Sequence, residues 1–231
     1  MTTRPVQRIV FLLFPGVTQL DLTGPAQILS RLPGATLDLV WHSLDPVPTD
    51  AGFSIVPTAR LADVPSPDLI CIPGGMGITD VINDAAALGW VRAAGQQAQW
   101  VTSVCTGALI LGAAGLLKGY RATTHWAWHD HLALFGAEPV QARTVFDRNR
   151  VTGGGVTAGI DFALALVARL AGDATAQMIQ LALEYDPAPP FDSGTPSRAD
   201  AALIAAYQDR ANRLAPNRAA DLEAAAQRLG F

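Results

Sequence analysis

The sequence predicts an α/β fold: a single domain with a mostly parallel sheet flanked by helices on both faces. Three observations carry this. Residues 8–14 and 68–72 are short runs that are almost wholly apolar, the pattern of strands covered on both faces. Such runs alternate with longer segments of helical periodicity. The chain has 231 residues, 50% of them hydrophobic and 16% charged, which is enough for one substantial core.

Residues 8–14 form the first expected strand, ended by Pro15-Gly16. The segment Leu20-Asp21-Leu22-Thr23-Gly24-Pro25 follows, with helix expected from Ala26. Asp21 lies between two leucines. It is either a capping or turn aspartate or a carboxyl in an apolar pocket with a raised pKa. Residues 36–43 read as the second strand, and residues 52–57 as a hairpin arm or edge piece. Residues 68–72 are the third strand, and Cys71 among its isoleucines is expected to pack only. Pro73-Gly74-Gly75 ends that strand. Two glycines at a strand C-terminus let backbone amides come close to a ligand. A helix is expected over 84–97.

Residues 100–117 organise the rest. Val101 and Val104 mark a short buried strand, and Ala, Leu, Ile and Gly then follow at helical spacing. Cys105 stands at the switch. A thiol on a sharp strand-to-helix turn is pushed out of the sheet, and the positive end of the helix dipole favours its thiolate. The alternative is a buried structural cysteine. Residues 121–124 are extended and lead to His125 and a helix over 127–134, closed by Gly136. His125 is a candidate base for the thiol or a helix-start histidine. Residues 140–146 and 151–152 form a hairpin, followed by Gly153-Gly154-Gly155 and helices over 160–170 and 173–185. The tail over 196–229 is helical, Ala-rich and split by Pro216, and its charged faces suggest a surface or interface position. Three strand ends, at Gly74-Gly75, Cys105-Thr106 and Gly153–Gly155, are expected to meet at one sheet edge, where ligands bind in open α/β sheets. The domain division is 1–190 for the α/β unit and 191–231 for a C-terminal helical extension on the same domain or a partner subunit.

Charge and cysteine content narrow the function classes. The net charge is −4, without the basic stripe of a nucleic-acid surface. Cys71 and Cys105 make no disulfide framework and fit a reducing cytoplasm. The N-terminal apolar run is too short for a signal segment or a membrane span. His125, His129 and His131 cluster, yet no Cys or acidic partner stands at ligand spacing, so no metal is expected.

The elbow cysteine, the acidic Asp21 after the first strand, the Pro-Gly-Gly turn and the segment around His125 resemble the DJ-1/PfpI superfamily along nearly the whole chain. That resemblance implies a flavodoxin-like fold, no cofactor and a homodimer. Five segments are most similar to its isocyanide-hydrating members. They are Gln19–Pro25, Ser103–Gly107, Ala122–Trp126, Thr152–Asp161 and Leu183–Phe191. All but the last are shared with sensor domains of AraC-type regulators. Fewer than fifty residues follow Tyr185, where those regulators carry DNA-binding helices, so the enzyme is favoured over a small-molecule or redox sensor. Asp21 and Thr106 replace the Glu and His of DJ-1-like and protease-like members, which disfavours a glyoxalase-like enzyme or a protease. The resemblance implies hydration of a small isocyanide to an N-formamide through a covalent thioimidate on Cys105. Asp21 would move the protons and Thr106 would assist. Gly75, Gly154, Gly155 and Val156 would line the pocket with backbone amides.

Overall fold

The computed structural model describes residues 5–64 and 66–231. The chain opens with β1 (Arg8–Leu12), α1 (Gln19–Leu29), β2 (Thr36–Trp41), β3 (Val47–Pro48), β4 (Ser54–Ile55) and β5 (Ala59–Arg60). Next come β6 (Leu69–Ile72), α2 (Ile78–Asn83), α3 (Ala85–Gln97), β7 (Trp100–Val104) and α4 (Gly107–Ala113). β8 (Arg121–Ala122) leads into a 3-10 helix, Trp126–Phe135, and then β9 (Glu138–Pro139), β10 (Thr144–Asp147) and β11 (Arg150–Gly153). The chain finishes with α5 (Ala158–Ala171), α6 (Asp173–Ala182), α7 (Ala201–Leu214) and α8 (Arg218–Leu229).

Seven strands form the main sheet in the order β10-β11-β7-β6-β1-β2-β5. Every neighbouring pair is parallel except β10 and β11. The central strands β6 and β7 are buried at every residue, β6 as an unbroken apolar run and β7 with Thr102 and Ser103 buried among its apolar residues. Ile72 pairs with Ser103, and Gly153 with Val104. The segments leaving β6, β7 and β11 therefore emerge together at one edge, as the glycine-bearing strand ends imply. The expected hairpin arm near residue 54 is β4, antiparallel to β3.

Three differences from the sequence expectation bear on how the helices pack around the elbow; elsewhere, the helix expected over 127–134 is of the 3-10 type, and α2 is not among the expected elements. α1 starts at Gln19 and runs through Gly24 and Pro25, where a start at Ala26 is expected. Pro25 cannot donate to the carbonyl of Asp21, which normally breaks a helix. Here α1 lies against α5: a Cβ on Gly24 would stand 3.3 Å from Ile160, and one on Gly159 would stand 3.1 Å from Pro25. This close packing offsets the missing bond. α6 stops at Ala182, before Tyr185, because Glu184 turns to a positive φ of 49°. The third difference is α8, whose Leu222, Ala225 and Ala226 are buried rather than at the surface. It packs on the 3-10 helix, α2 and α4. Alanine's small side chain lets the helix approach closely. α7, by contrast, buries no residue.

Candidate active site

Cys105 adopts φ 52°, a left-handed conformation uncommon outside glycine. Local hydrogen bonds hold it there. Its N–H donates to the carbonyls of Gly153 (3.1 Å) and Gly154 (2.8 Å). Its own carbonyl accepts from the Thr124 hydroxyl at 2.7 Å. The chain then turns into α4, and the thiol, 6% exposed, faces α1. There it lies close enough to the carboxyl of Asp21 for each group to shift the other's ionisation.

Asp21 lies in the first turn of α1 and is fully buried. Its Oδ2 accepts from the Gly74 N–H at 3.0 Å. Oδ1 is buried and meets no N–H or O–H donor among the described residues. Burial pushes the carboxyl up to about 7; the bonds from Gly74 and Cys105 oppose that, and Asp50 adds to it. Of the two readings of Asp21, the apolar pocket is the one the structure adopts.

Burial and the Asp21 carboxyl also push the Cys105 thiol up, against the Thr106 N–H and hydroxyl, which lower it. The helix start alone does not hold this thiol ionised, contrary to expectation. α4 has only seven residues, and desolvation outweighs the amides facing the sulfur. The Asp21 charge opposes ionisation of the thiol, so the two ionisations are linked. Cys71 is fully buried and pushed up to about 12, in keeping with a packing role.

Thr106 joins the pair to the Pro-Gly-Gly turn, its Oγ1 accepting from the Gly75 N–H at 3.1 Å. The turn tolerates no side chain. A Cβ on Gly74 would lie 2.6 Å from both N and Oγ1 of Thr106 and 2.9 Å from Asp21 Oδ2. Gly74→Ala is therefore expected to destabilise the fold by about 1–3 kcal/mol and to slow alkylation of Cys105. Urea unfolding and iodoacetamide kinetics matching the original chain would remove this turn from the site.

The expected lining amides divide into two groups. Those of Gly75 and Gly154 are already used, by Thr106 and by the carbonyl of Arg143 (2.9 Å) respectively. Neither therefore presents a free N–H to a ligand, a correction that follows from the need to satisfy buried amides. The N–H groups of Gly155 and Val156 meet no acceptor among the described residues, so they remain available. His125 is not paired with the thiol. Its Nδ1 accepts from the Ala127 N–H at 3.3 Å and caps the 3-10 helix. Burial, helped by Arg218, lowers it to about 4, so it is neutral at neutral pH.

The sequence reading passed over two residues of the C-terminal helices. Tyr207 of α7 stacks on His125 (centroids 5.8 Å apart) and packs on Trp126 (4.9 Å). Arg218 of α8 is 5% exposed and donates to the carbonyls of Gly75 (3.4 Å) and Met76 (3.0 Å). One signal existed: an arginine as the first residue of a helix opposes the helix dipole. Cavities of about 230 and 330 Å³ lie beside these helices, and neither is lined by Cys105 or Asp21.

Comparison with known proteins agrees with this architecture. The sequence signature of the DJ-1/PfpI family matches residues 7–169. The isonitrile hydratase of Pseudomonas putida is 54% identical over 204 residues, 88% of this chain and 90% of that protein. The transcriptional regulator GbdR of Pseudomonas aeruginosa is 31% identical over 72% of this chain but only 47% of its own length. Among solved structures, a THiJ/PfpI family protein from Pseudomonas syringae superposes with a TM-score of 0.91 at 44% identity. That match covers 98% of this chain and 91% of the other. With the elbow cysteine, its buried carboxyl partner and the parallel sheet in place, the chain belongs to the DJ-1/PfpI family.

Proposed function

We propose that this protein is an isocyanide (isonitrile) hydratase, a lyase that adds water to R–N≡C to give the N-formamide. The similarity to the Pseudomonas putida enzyme over most of both chains supports the reaction. The single structural observation that carries it is the buried Cys105–Asp21 pair, with the carboxyl raised to about 7. An isocyanide carbon accepts a soft nucleophile only if a proton follows, because attack leaves a carbanion. A carboxyl poised near neutrality next to the sulfur is suited to deliver and recover that proton.

The Cys105 thiol passes its proton to Asp21 as its sulfur attacks the terminal carbon, and Asp21 delivers that proton to the same carbon. The product is the thioimidate R–N=CH–S. Asp21, now ionised, takes a proton from water as the hydroxyl adds to that carbon, and passes it to nitrogen. The carbinol R–NH–CH(OH)–S then collapses: its hydroxyl proton goes to Asp21, the C–S bond breaks, and thiolate and R–NH–CHO are released. Thr106 holds the Gly74-Gly75 turn against the pair, and its N–H faces the sulfur. The free amides of Gly155 and Val156 line the approach.

No helix among the described residues is long and apolar enough to cross a membrane, which suits the cytoplasmic setting we propose. We also place residues 1–190 in the α/β unit, with 191–231 as its extension. A homodimer fits the apolar side chains left open on α6 and α7, where Leu181 is 76% and Leu214 60% exposed.

The test is direct. The purified protein is mixed with an aryl isocyanide, and formamide is followed by absorbance, with Cys105→Ala as control. Cys105-dependent turnover is expected. No turnover from a folded, reduced protein would overturn the reading. Binding without turnover would then favour a sensor like the regulators it resembles, and methylglyoxal consumption would favour a glyoxalase-like enzyme.

A further inference from the structure

Arg218 is the least expected charge in the molecule. It is buried, and among the described residues no carboxylate forms an ion pair with it. Its recorded partners are the carbonyls of Gly75 and Met76, the Met76 sulfur at 3.3 Å and the face of Trp128, 4.9 Å away. A guanidinium without a counter-ion is expensive to bury, and two carbonyls and a ring face offset that only in part. The structure does provide an anion. Arg218 reaches over the turn whose amides hold Asp21 and Thr106, from the side of the elbow. Burial lowers its pKa, and negative charge on the Cys105 sulfur counteracts this.

We propose that Arg218 is a positioning residue and the counter-cation of the Cys105–Asp21 pair. It clamps Gly75 and Met76 so that their turn stays against Asp21 and Thr106, and its charge stabilises the single negative charge that the pair carries when it holds one proton. This rests on Cys105 being the reacting thiol, not on the identity of the substrate. The other ionisable groups around the pair are few. Asp50 faces Asp21, and Cys71 lies beneath it in β6. Tyr207 of α7 faces the sulfur and Arg218, with Arg210 beside it. His125 faces Arg218 and is neutral. Among these, Arg218 is the cation bonded to the turn that holds the pair, and its charge interacts with that of the sulfur. Through it the C-terminal helices, which contribute no reacting atom, set how readily the thiolate forms.

The test measures alkylation of Cys105 by iodoacetamide as a function of pH in the full-length protein, with Arg218→Met and Arg218→Lys. This readout does not involve isocyanide, so its outcome is separable from that of the hydratase assay. Arg218→Met is expected to displace the profile upward by about one pH unit, making alkylation about tenfold slower on the rising limb. Arg218→Lys keeps the charge and should stay within about threefold of the parent chain. A methionine profile superposed on the parent would overturn the proposal. So would a lysine profile displaced as far as the methionine one, because the lost clamp and not the lost charge would then be responsible. If Arg218→Met does not fold, Arg218→Gln, which can still donate to the two carbonyls but carries no charge, takes its place. A glutamine profile displaced upward by about one pH unit from the parent would support the proposal, and one superposed on the parent would overturn it.

Discussion

Cys105→Ala should reduce isocyanide hydration to the uncatalysed background, a loss on the order of 10⁴-fold or more. The size follows from the chemistry proposed for the pair. Without sulfur no thioimidate forms, and Asp21 has no bound intermediate to protonate. The fold should survive, because the side chain removed is small and alanine meets about the same penalty at φ 52° as cysteine does. Intact-mass spectrometry checks the assignment cleanly. The chain has two cysteines, and Cys71 is fully buried and pushed up to about 12. Alkylation at neutral pH should therefore add one group per parent chain and none to the variant. Turnover near the parental rate in Cys105→Ala, or an isocyanide adduct on that variant, would exclude Cys105 as the nucleophile.

Asp21→Asn should lower turnover by a factor of about 10²–10⁴, the usual weight of general acid–base assistance. Asparagine can still accept the Gly74 N–H through its amide oxygen, so the geometry is kept while the proton is lost. The same substitution should stabilise the protein in alkali. The carboxyl titrates at an ordinary 3.8 in the unfolded chain and at about 7 in the native one. Between these values the native state keeps a proton that the unfolded state has released, so native stability is full below the window and falls as pH rises through it. At about 1.4 kcal/mol per unit the penalty is on the order of 4 kcal/mol above neutrality. Asparagine carries no such penalty. Urea midpoints for the two chains should therefore diverge in favour of Asp21→Asn between about pH 4 and about pH 8. Parallel midpoints across that range would mean that Asp21 is not a buried acid near neutrality. Such a variant, more stable and nearly inactive, is the expected signature of a residue kept for function at the expense of the fold.

The parts of this arrangement that show in the sequence are those set by local composition. β6 is legible because its residues are uniformly apolar and end in Pro-Gly-Gly, and β7 because its β-branched valines lead to the elbow. Asp21 is legible as a candidate because leucines flank it. What escapes is what depends on distant partners. α1 continues through Pro25 only because Gly159 of α5 lets the ring fit. His125 has the residue type of a base, but the start of the 3-10 helix engages its Nδ1. The amides of Gly75 and Gly154 look available until Thr106 and the Arg143 carbonyl are found to take them. Arg218 is least visible of all. Two of its partners are backbone carbonyls, which carry no signature in a sequence, and they lie 143 and 142 positions away.

Those separations bear on when the thiol becomes reactive. The bond from Gly74 to Asp21 spans 53 positions, that from Gly75 to Thr106 spans 31, and the reach of Arg218 to the same turn spans 143. A chain emerging from the ribosome can assemble the first two long before the third. Until α8 docks, Cys105 stands on its elbow beside Asp21 without the Arg218 charge. Reactivity toward electrophiles and oxidants thus arrives with the last helix of this fold, after the core that protects the sulfur has closed.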